Sequence, residues 1–352
     1  MSSENITVVG HTHRSNNQFI RAASLIVGNA SGKGLDLSQL RLQFNIRHAS
    51  VQTPKVLEAR IYNVSRQTAA SVQKEYTRVI LSAGYQGNIG KLFDGQIRQI
   101  RFGRENPTDT YLEIIAADGD QAYSQGTISQ SLAAGWIASD VHRELVAATA
   151  EAKQLMAAGT AAGTQEMQAQ GLTAGTPPPD SGAGVRPKVM FGPIRDHCRV
   201  LAASTGTSWS IVDGALTFAP LSVPKDQPRE VKATVLSPST GLIGIPKQTI
   251  DGIEATCLLN SRLKADGYVT IDTGLINQAQ VSAAYGAVQA NPNQVEAGSN
   301  SYIAGISPSG TYRIVYVDHV GDTRGNEWYS TVACYADDGN AKMSDENRTA
   351  VP

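Results

Sequence analysis

Strict two-residue alternation is the feature that most constrains this chain. Leu40, Leu42, Phe44 and Ile46 alternate with Arg41, Gln43, Asn45 and Arg47. Successive side chains of a strand point to opposite faces, so this pattern predicts a strand with one buried face and one wet face. The pattern recurs at Leu57, Ala59 and Ile61, set against Glu58 and Arg60. Further apolar, strand-like runs lie at Phe19 to Val27, Arg78 to Ala83, Lys91 to Phe102 and Tyr111 to Ala117. Turn chemistry separates them at Gly87-Asn88 and at Glu105-Asn106-Pro107. Regular short strands with such breaks predict a barrel or sandwich. Gly95 lies inside a predicted strand, where glycine marks a bulge or a close approach of another backbone. Ser65 is placed to cap a short helix reaching about Glu75.

The middle of the chain changes character. Ser139-Asp140 precedes Val141, Leu145, Ala148, Ala152 and Leu155, whose spacing predicts a helix over 141–156. Residues 171–187, GLTAGTPPPDSGAGVRP, have the composition of a linker, stiff at the prolines and loose at the glycines. A helix is expected from Gly192 to Ala203. A hairpin is expected over Thr207 to Val212 and Ala215 to Pro220, because Asp213-Gly214 is a two-residue turn signal. Strands resume at Gly252 to Leu259, Gly267 to Asp272, Tyr312 to His319 and Trp328 to Ala336. Residues 277–301 are rich in Gln, Asn and Ala and read as a long loop.

These segments divide the chain into an N-terminal arm (1–17), a first β domain (18–125), a helical segment (126–170), the Pro/Gly-rich linker (171–187), a small α+β module (188–235), a second β domain (236–340) and a polar tail (341–352). The fold class is mainly β with an α+β insertion.

Composition excludes several functions. A formal net charge of -1 gives no electrostatic reason to expect nucleic acid or an anionic membrane as the principal ligand. No run approaches the ~18 apolar residues of a membrane helix, so no membrane insertion is expected. The N-terminus lacks a basic region followed by an apolar one, so export by a signal peptide is not expected. The three cysteines, Cys198, Cys257 and Cys334, are widely spaced and form no CxxC pair. They read as buried thiols and not as a zinc site.

No residue set survives as a catalytic, cofactor or metal site. Gly28 to Gly34 (GNASGKG) is a residue short of a phosphate loop, and glycine stands where Ser or Thr should hold the metal. A glycine-rich hairpin loop is the better reading. His11 and His13 lack a recognisable third ligand. Asp196, His197 and Cys198 are neighbours that would point about 100° apart on a helix, so they cannot form one relay. The acid pairs Asp118/Asp120 and Asp337/Asp338 look like strand-end turn residues. Trp136, Trp209 and Trp328 are scattered as core or interface anchors would be. The chain therefore reads as non-enzymatic.

One resemblance spans about Phe19 to Ala336. It rests on the order of several segments: Glu58 to Ser65 (EARIYNVS), Ala83 to Tyr85, Phe93 to Gly95, Thr207 to Gly214 (TSWSIVDG), Asp251 to Asn260 (DGIEATCLLN), Tyr312 to His319, and Gly321 to Tyr329 (GDTRGNEWY). In this order they resemble the baseplate hub proteins of contractile-tailed bacteriophages. The resemblance implies two tail-tube-like β-barrel domains flanking the middle segment. It implies a homotrimer that joins a six-fold tail tube to a three-fold central spike and contacts other baseplate proteins. Phage DNA would pass through its channel only in transit. The place of action would be the virion tail, after assembly in the host cytoplasm. The family carries no catalytic signature. Residues 157–170 and 277–301 have no place in its pattern. The competing reading is a carbohydrate- or protein-binding β protein of adhesin type, which should show an aromatic-lined face; aromatic residues make up only 6% of the chain.

Overall fold

The computed structural model describes residues 6–8, 18, 20–28, 34–157, 172–180, 182–221, 229–249, 252–278, 306–307 and 309–336. The fold is mainly β, with four α-helices among the described residues. The predicted features at His11, His13, Asp337, Asp338 and residues 157–170 lie wholly or almost wholly outside them, as do 279–305.

After a short strand β1 (Ile6–Val8), the first sheet contains β2 (Arg21–Gly28), β3 (Gly34–Asp36), β4 (Leu42–Ala49), β5 (Val56–Tyr62), β6 (Arg78–Tyr85), β7 (Asn88–Arg104) and β8 (Thr110–Ala117). Its order is β4-β5-β8-β7-β6-β2-β3, antiparallel throughout. The alternation in β4 does what it predicts. Leu42, Phe44 and Ile46 are buried, Arg47 is exposed, and the next inward position is taken by His48. Every long strand contributes to one core, including Leu25, Ile46, Leu57, Leu81, Phe93 and Ile114. Helix α1 (Arg66–Glu75) adds Ala69 and Val72 to that core. Its N-cap is Ser65, whose hydroxyl accepts the Thr68 N–H at 3.0 Å. Gly95 is needed for close approach, since a Cβ there would lie 2.6 Å from the Ala117 carbonyl oxygen. The GNASGKG segment joins β2 to β3, with Gly28 opposite Gly34, and so connects a hairpin rather than opening a helix.

The middle region has one core of its own. It comprises α2 (Asp120–Gln125), β9 (Thr127–Leu132), α3 (Ala138–Ala157), β10 (Thr173–Ala174), β11 (Lys188–Pro193), α4 (Ile194–Thr205), β12 (Thr207–Val212) and β13 (Ala215–Pro220). Ala122, Val141, Leu145, Leu172, Leu201 and Phe218 belong to the same cluster, so the helical segment and the α+β module pack as one unit. Residues 172–180 and 182–187, read from composition as a linker stiff at the prolines and loose at the glycines, are held against the middle unit by backbone pairing. Thr173 and Ala174 pair parallel with β13, and Gly135 and Gly184 are tied by Gly135 N–H to Gly184 O (2.7 Å) and Gly184 N–H to Trp136 O (2.8 Å). The edge of β13 offers unpaired backbone groups, and a glycine-rich strap with few side chains can lie against them. The β12–β13 turn has positive φ at both Asp213 (51°) and Gly214 (79°), as the Asp-Gly signal predicts.

After β14 (Arg229–Val231), which pairs with β1, the second sheet contains β15 (Ala233–Leu236), β16 (Leu242–Thr249), β17 (Gly252–Leu258), β18 (Tyr268–Ile271), β19 (Thr311–Asp322) and β20 (Trp328–Ala336). Strands β9, β11, β15 and β16, and the short β1, β3, β10 and β14, are absent from the sequence expectation. Leu242 to Thr249 contains Gly244 and Pro246 and does not alternate. Strand β15 straddles the expected boundary at 235/236, with three of its four residues in the stretch 188–235, and it pairs with β18 of the second sheet.

The two sheets share a strand order. The six main strands of the first, in chain order, are β2, β4, β5, β6, β7 and β8; those of the second are β15 to β20. In both, the spatial order is second, third, sixth, fifth, fourth, first. They differ in the last pair, antiparallel for β6 with β2 and parallel for β18 with β15. Helix α1 links the third and fourth strands of the first sheet, where the second has only turns at 261–262 and 265–266. The sheets are not separate bodies, because β4 and β19 pair and make a single thirteen-stranded sheet.

Candidate functional site

The β4–β19 seam is the structural centre of the chain. Tyr316 to Asp322 pair antiparallel with Ala49 to Gln43. Strand β19 changes partners to achieve this. Its first residues, Thr311 to Arg313, pair with β18, a bulge comes between Ile314 and Tyr316, and the rest lies along β4. A bulge releases one strand from a ladder and re-aims the residues beyond it.

Side chains lock the seam. Trp328 of β20 belongs to the core of the first sheet, edge-on to Phe44 with ring centroids 5.6 Å apart, and its Nε1–H donates to Gly84 O at 3.2 Å. Asp322 accepts from Arg41 at 2.7 Å and from Gln43 at 2.9 Å. Burial alone would raise the Asp322 pKa, but these donors hold it well below the usual carboxylate range. The Arg21 guanidinium donates to the carbonyls of Gly325 (2.6 Å) and Asn326 (3.0 Å).

A buried polar cluster joins both sheets to the middle unit. Lys55, almost fully buried, lies 2.6 Å from Asp213 at the β12–β13 turn, and the same carboxylate accepts from Lys264 in the β17–β18 connection. Burial acts to raise the Asp213 pKa, and the two ammonium groups overcome it and hold Asp213 far down. Arg313 and Ser210 both donate to Asp266. Asp118 accepts the Gly214 N–H at 3.1 Å, and burial pushes its pKa up to about 6. His48 and His319 are the buried bases of the cluster. Burial, with Lys55 adding to it, lowers them to about 4 and about 3. His319 Nδ1 is 2.7 Å from Ser330 Oγ, while His48 Nε2 has no hydrogen-bond partner among the described residues.

This cluster has the character of a clamp. Its carboxylates are paired with neighbouring cations, and it borders a small, partly open space lined in part by His48, Lys55, Lys264 and His319. Among the described residues no group of three or more His, Cys, Asp or Glu could hold a metal. The sequence neighbours Asp196, His197 and Cys198 separate as helical geometry requires: Cys198 is buried, and Asp196 is exposed beside Arg199. All three cysteines are buried and free, and burial raises the thiols of Cys198 and Cys257 to about 12. Asp118 and Asp120 also serve different partners, since Asp120 pairs with Arg98 at 3.2 Å. Trp209 is buried against Tyr123, and Trp136 donates to Arg186 O at 2.9 Å. Among the described residues no helix is long and apolar enough to cross a membrane.

No protein-family model matches the chain, and no curated protein matches it in sequence. Several solved structures resemble it. A 43 kDa tail protein of prophage MuSo2 from Shewanella oneidensis is 8% identical, with 92% of this chain and 100% of that one covered and a TM-score of 0.48. A tail protein from Neisseria meningitidis MC58 is 10% identical, with 92% and 98% covered and a TM-score of 0.47. The E. coli protein c3393, described as a type VI secretion component structurally similar to the T4 tail proteins gp27 and gp5, is 8% identical, with 89% and 76% covered and a TM-score of 0.47. The likeness concerns overall fold, and at these scores it carries no functional weight.

The cluster around Asp213 has no signature in the sequence. Lys55, His48, Asp266 and His319 are far apart in the chain and belong to no motif. The one local signal is Asp213-Gly214, which predicts the turn and not its partners.

Proposed function

We propose that this chain is a structural hub of a phage-type tail baseplate. It acts as a homotrimer that joins a six-fold tube to a three-fold spike and lines the channel between them. The observation that carries this reading is the repeated strand order within one chain. A trimer presents three equivalent surfaces, and a six-fold tube presents six. Two like sheets per chain turn three copies into six similar positions, so the same kind of sheet edge can meet the tube all round. The continuous β4–β19 seam supports it, because it fixes the two sheets rigidly with respect to each other. In this reading the regions 18–125 and 236–340 are the two ring-forming units. The middle unit lies off the ring, and DNA touches the chain only in transit.

The polar cluster serves that architecture. Its ion pairs fasten the middle unit to both sheets, and the role proposed for the chain asks no catalysis of it. Partners are a second and third copy, the tube protein, the spike protein and other baseplate proteins, assembled in the host cytoplasm and retained in the virion tail. Sedimentation equilibrium of the purified chain, together with electron microscopy of the chain with its tube and spike partners, tests the reading. Three copies at a tube–spike junction are expected. Six or twelve copies per particle, or a chain that stays monomeric with both partners present, would overturn it.

A further inference from the structure

Two buried histidines line the small space beside the β4–β19 seam, and they differ in how their ring nitrogens are satisfied. His319 Nδ1 lies 2.7 Å from the Ser330 hydroxyl, which itself accepts the Asn260 N–H at 3.0 Å and so has its own hydrogen to donate. The other His319 nitrogen donates to the Leu263 backbone, an interaction that favours the protonated ring as a carbonyl acceptor does. His48 meets the Ile211 backbone in the same manner. The proton of the neutral His48 ring is therefore assigned to Nδ1, and Nε2 carries a lone pair. Among the described residues Nε2 has no hydrogen-bond partner, although His48 is only 5% exposed. A buried acceptor without a donor costs free energy, so this position calls for a group that brings a hydrogen.

The same space is rich in cations. Lys55, Lys91 and Lys264 line it together with Ser261. The buried Lys55 ammonium has three N–H groups, and among the described residues only Asp213 accepts from it. Asp213 also serves Lys264, and Asp94 serves both Lys91 and Arg78. Four cations thus share two carboxylates. Counting Asp118, whose pKa Lys55 pulls down against the effect of burial, still leaves one positive charge in excess. The enclosed part of the space has room for one water-sized group, and Lys91 and Lys264, each about half exposed, stand where it meets solvent.

We propose that this space binds a small oxyanion that carries a proton, of the hydrogen phosphate class. Its P–OH oxygen enters the enclosed part, donates to His48 Nε2 and accepts from Lys55. Its remaining oxygens stay toward the mouth and accept from Lys91 and Lys264. A single ligand then supplies both the hydrogen that His48 lacks and the negative charge that the lysines lack. Sulfate, chloride and a phosphodiester bring charge but no hydrogen for His48, and water brings the hydrogen but no charge. The inference stands on these side chains alone and does not depend on the hub reading.

Isothermal titration of the full-length chain at pH 7 and constant ionic strength, with sodium phosphate and sodium sulfate as probes, tests the site. Phosphate is expected to bind at one site per chain, and sulfate more weakly by about tenfold or more, because its oxygen would face an acceptor. His48→Gln offers an amide N–H in place of the lone pair and should bind sulfate as well as phosphate. Lys91→Met removes a half-exposed cation outside the Lys55–Asp213 pair and should weaken phosphate binding. Circular dichroism checks that each variant is folded. If neither anion binds the wild type, the space is not an anion site and the proposal fails. Equal affinity for the two anions would mark an unselective basic patch and overturn it as well. Discrimination that persists in folded His48→Gln, or phosphate binding that is unchanged in folded Lys91→Met, places the anion elsewhere. Should His48→Gln not fold, the wild-type ratio and Lys91→Met decide the outcome.

Discussion

The Lys55 ammonium lies 2.6 Å from the Asp213 carboxylate, although the residues are 158 positions apart in the chain. One sits in the first sheet's neighbourhood and the other at the tip of the β12–β13 hairpin, so their contact fixes the middle unit in place. Lys55 is almost entirely out of water, and removing its partner leaves a buried charge uncompensated. Asp213→Asn is therefore expected to cost about 3 kcal/mol in urea unfolding. Adding Lys55→Met should restore part of that loss. If the double variant is as unstable as the sum of the singles, the pair is not coupled.

Stability should fall on acidification. His48 and His319 are held neutral by burial, with pKa values near 4 and 3, whereas both take up protons near pH 6.5 when unfolded. The unfolded state thus binds more protons below about pH 6.5, and stability present above that pH is lost as pH falls toward 4 and then 3. Asp213 and Asp322, both depressed, add to the loss below about pH 4. Asp118 acts the other way: its pKa is raised to about 6, so its contribution is present at low pH and lost as pH rises through 6. Two histidines outweigh one carboxyl, and the urea midpoint should be clearly lower at pH 4.5 than at pH 7. His48→Gln should flatten that slope. An unchanged slope would remove His48 from the account.

Two glycines in the same strand should respond differently to alanine. A Cβ at Gly95 would meet the Ala117 carbonyl oxygen at 2.6 Å, which is backbone and cannot yield without moving the sheet. A Cβ at Gly103 would meet the end of the Tyr111 side chain at 2.8 Å, which can rotate away. Gly95→Ala is expected to cost about 2 kcal/mol or more, within the range for overpacking, and Gly103→Ala under about 1. Thermal melts of the two variants decide the order.

The cysteines should be silent in the native protein. All three are buried, and burial raises the thiols of Cys198 and Cys257 to about 12 and that of Cys334 higher still. The thiolate is the reactive form, so a thiol reagent at pH 8 should label none of them until denaturant is added. His197→Ala with Cys198→Ala should lower stability through the lost packing of Cys198. Rapid labelling at Cys198 in folded protein would contradict its burial.

Much of the fold is legible in the sequence because its signals are local. The alternation from Leu42 to Ile46, the Ser65 cap and the Asp213-Gly214 turn each act within a few residues, and each appears where the sequence predicts it. Strand β16 escapes because Gly244 and Pro246 break its alternation inside a bulge. The strap at 172–187 escapes because composition measures backbone freedom and takes no account of a nearby unpaired edge such as β13.

The sequence by itself determined the kind of chain: mainly β, broken at the middle by a helical module. Side-chain periodicity and turn chemistry are short-range properties, so they survive in one dimension. Only the tertiary structure decided which edges meet. The exchange of partners along β19, the seam with β4, the gathering of Lys55, Asp213, Lys264 and His319, and the shared strand order all depend on residues tens to hundreds of positions apart. Backbone hydrogen bonding is the same for every strand and so names no partner. The choice is made by which pairings let both cores close at once.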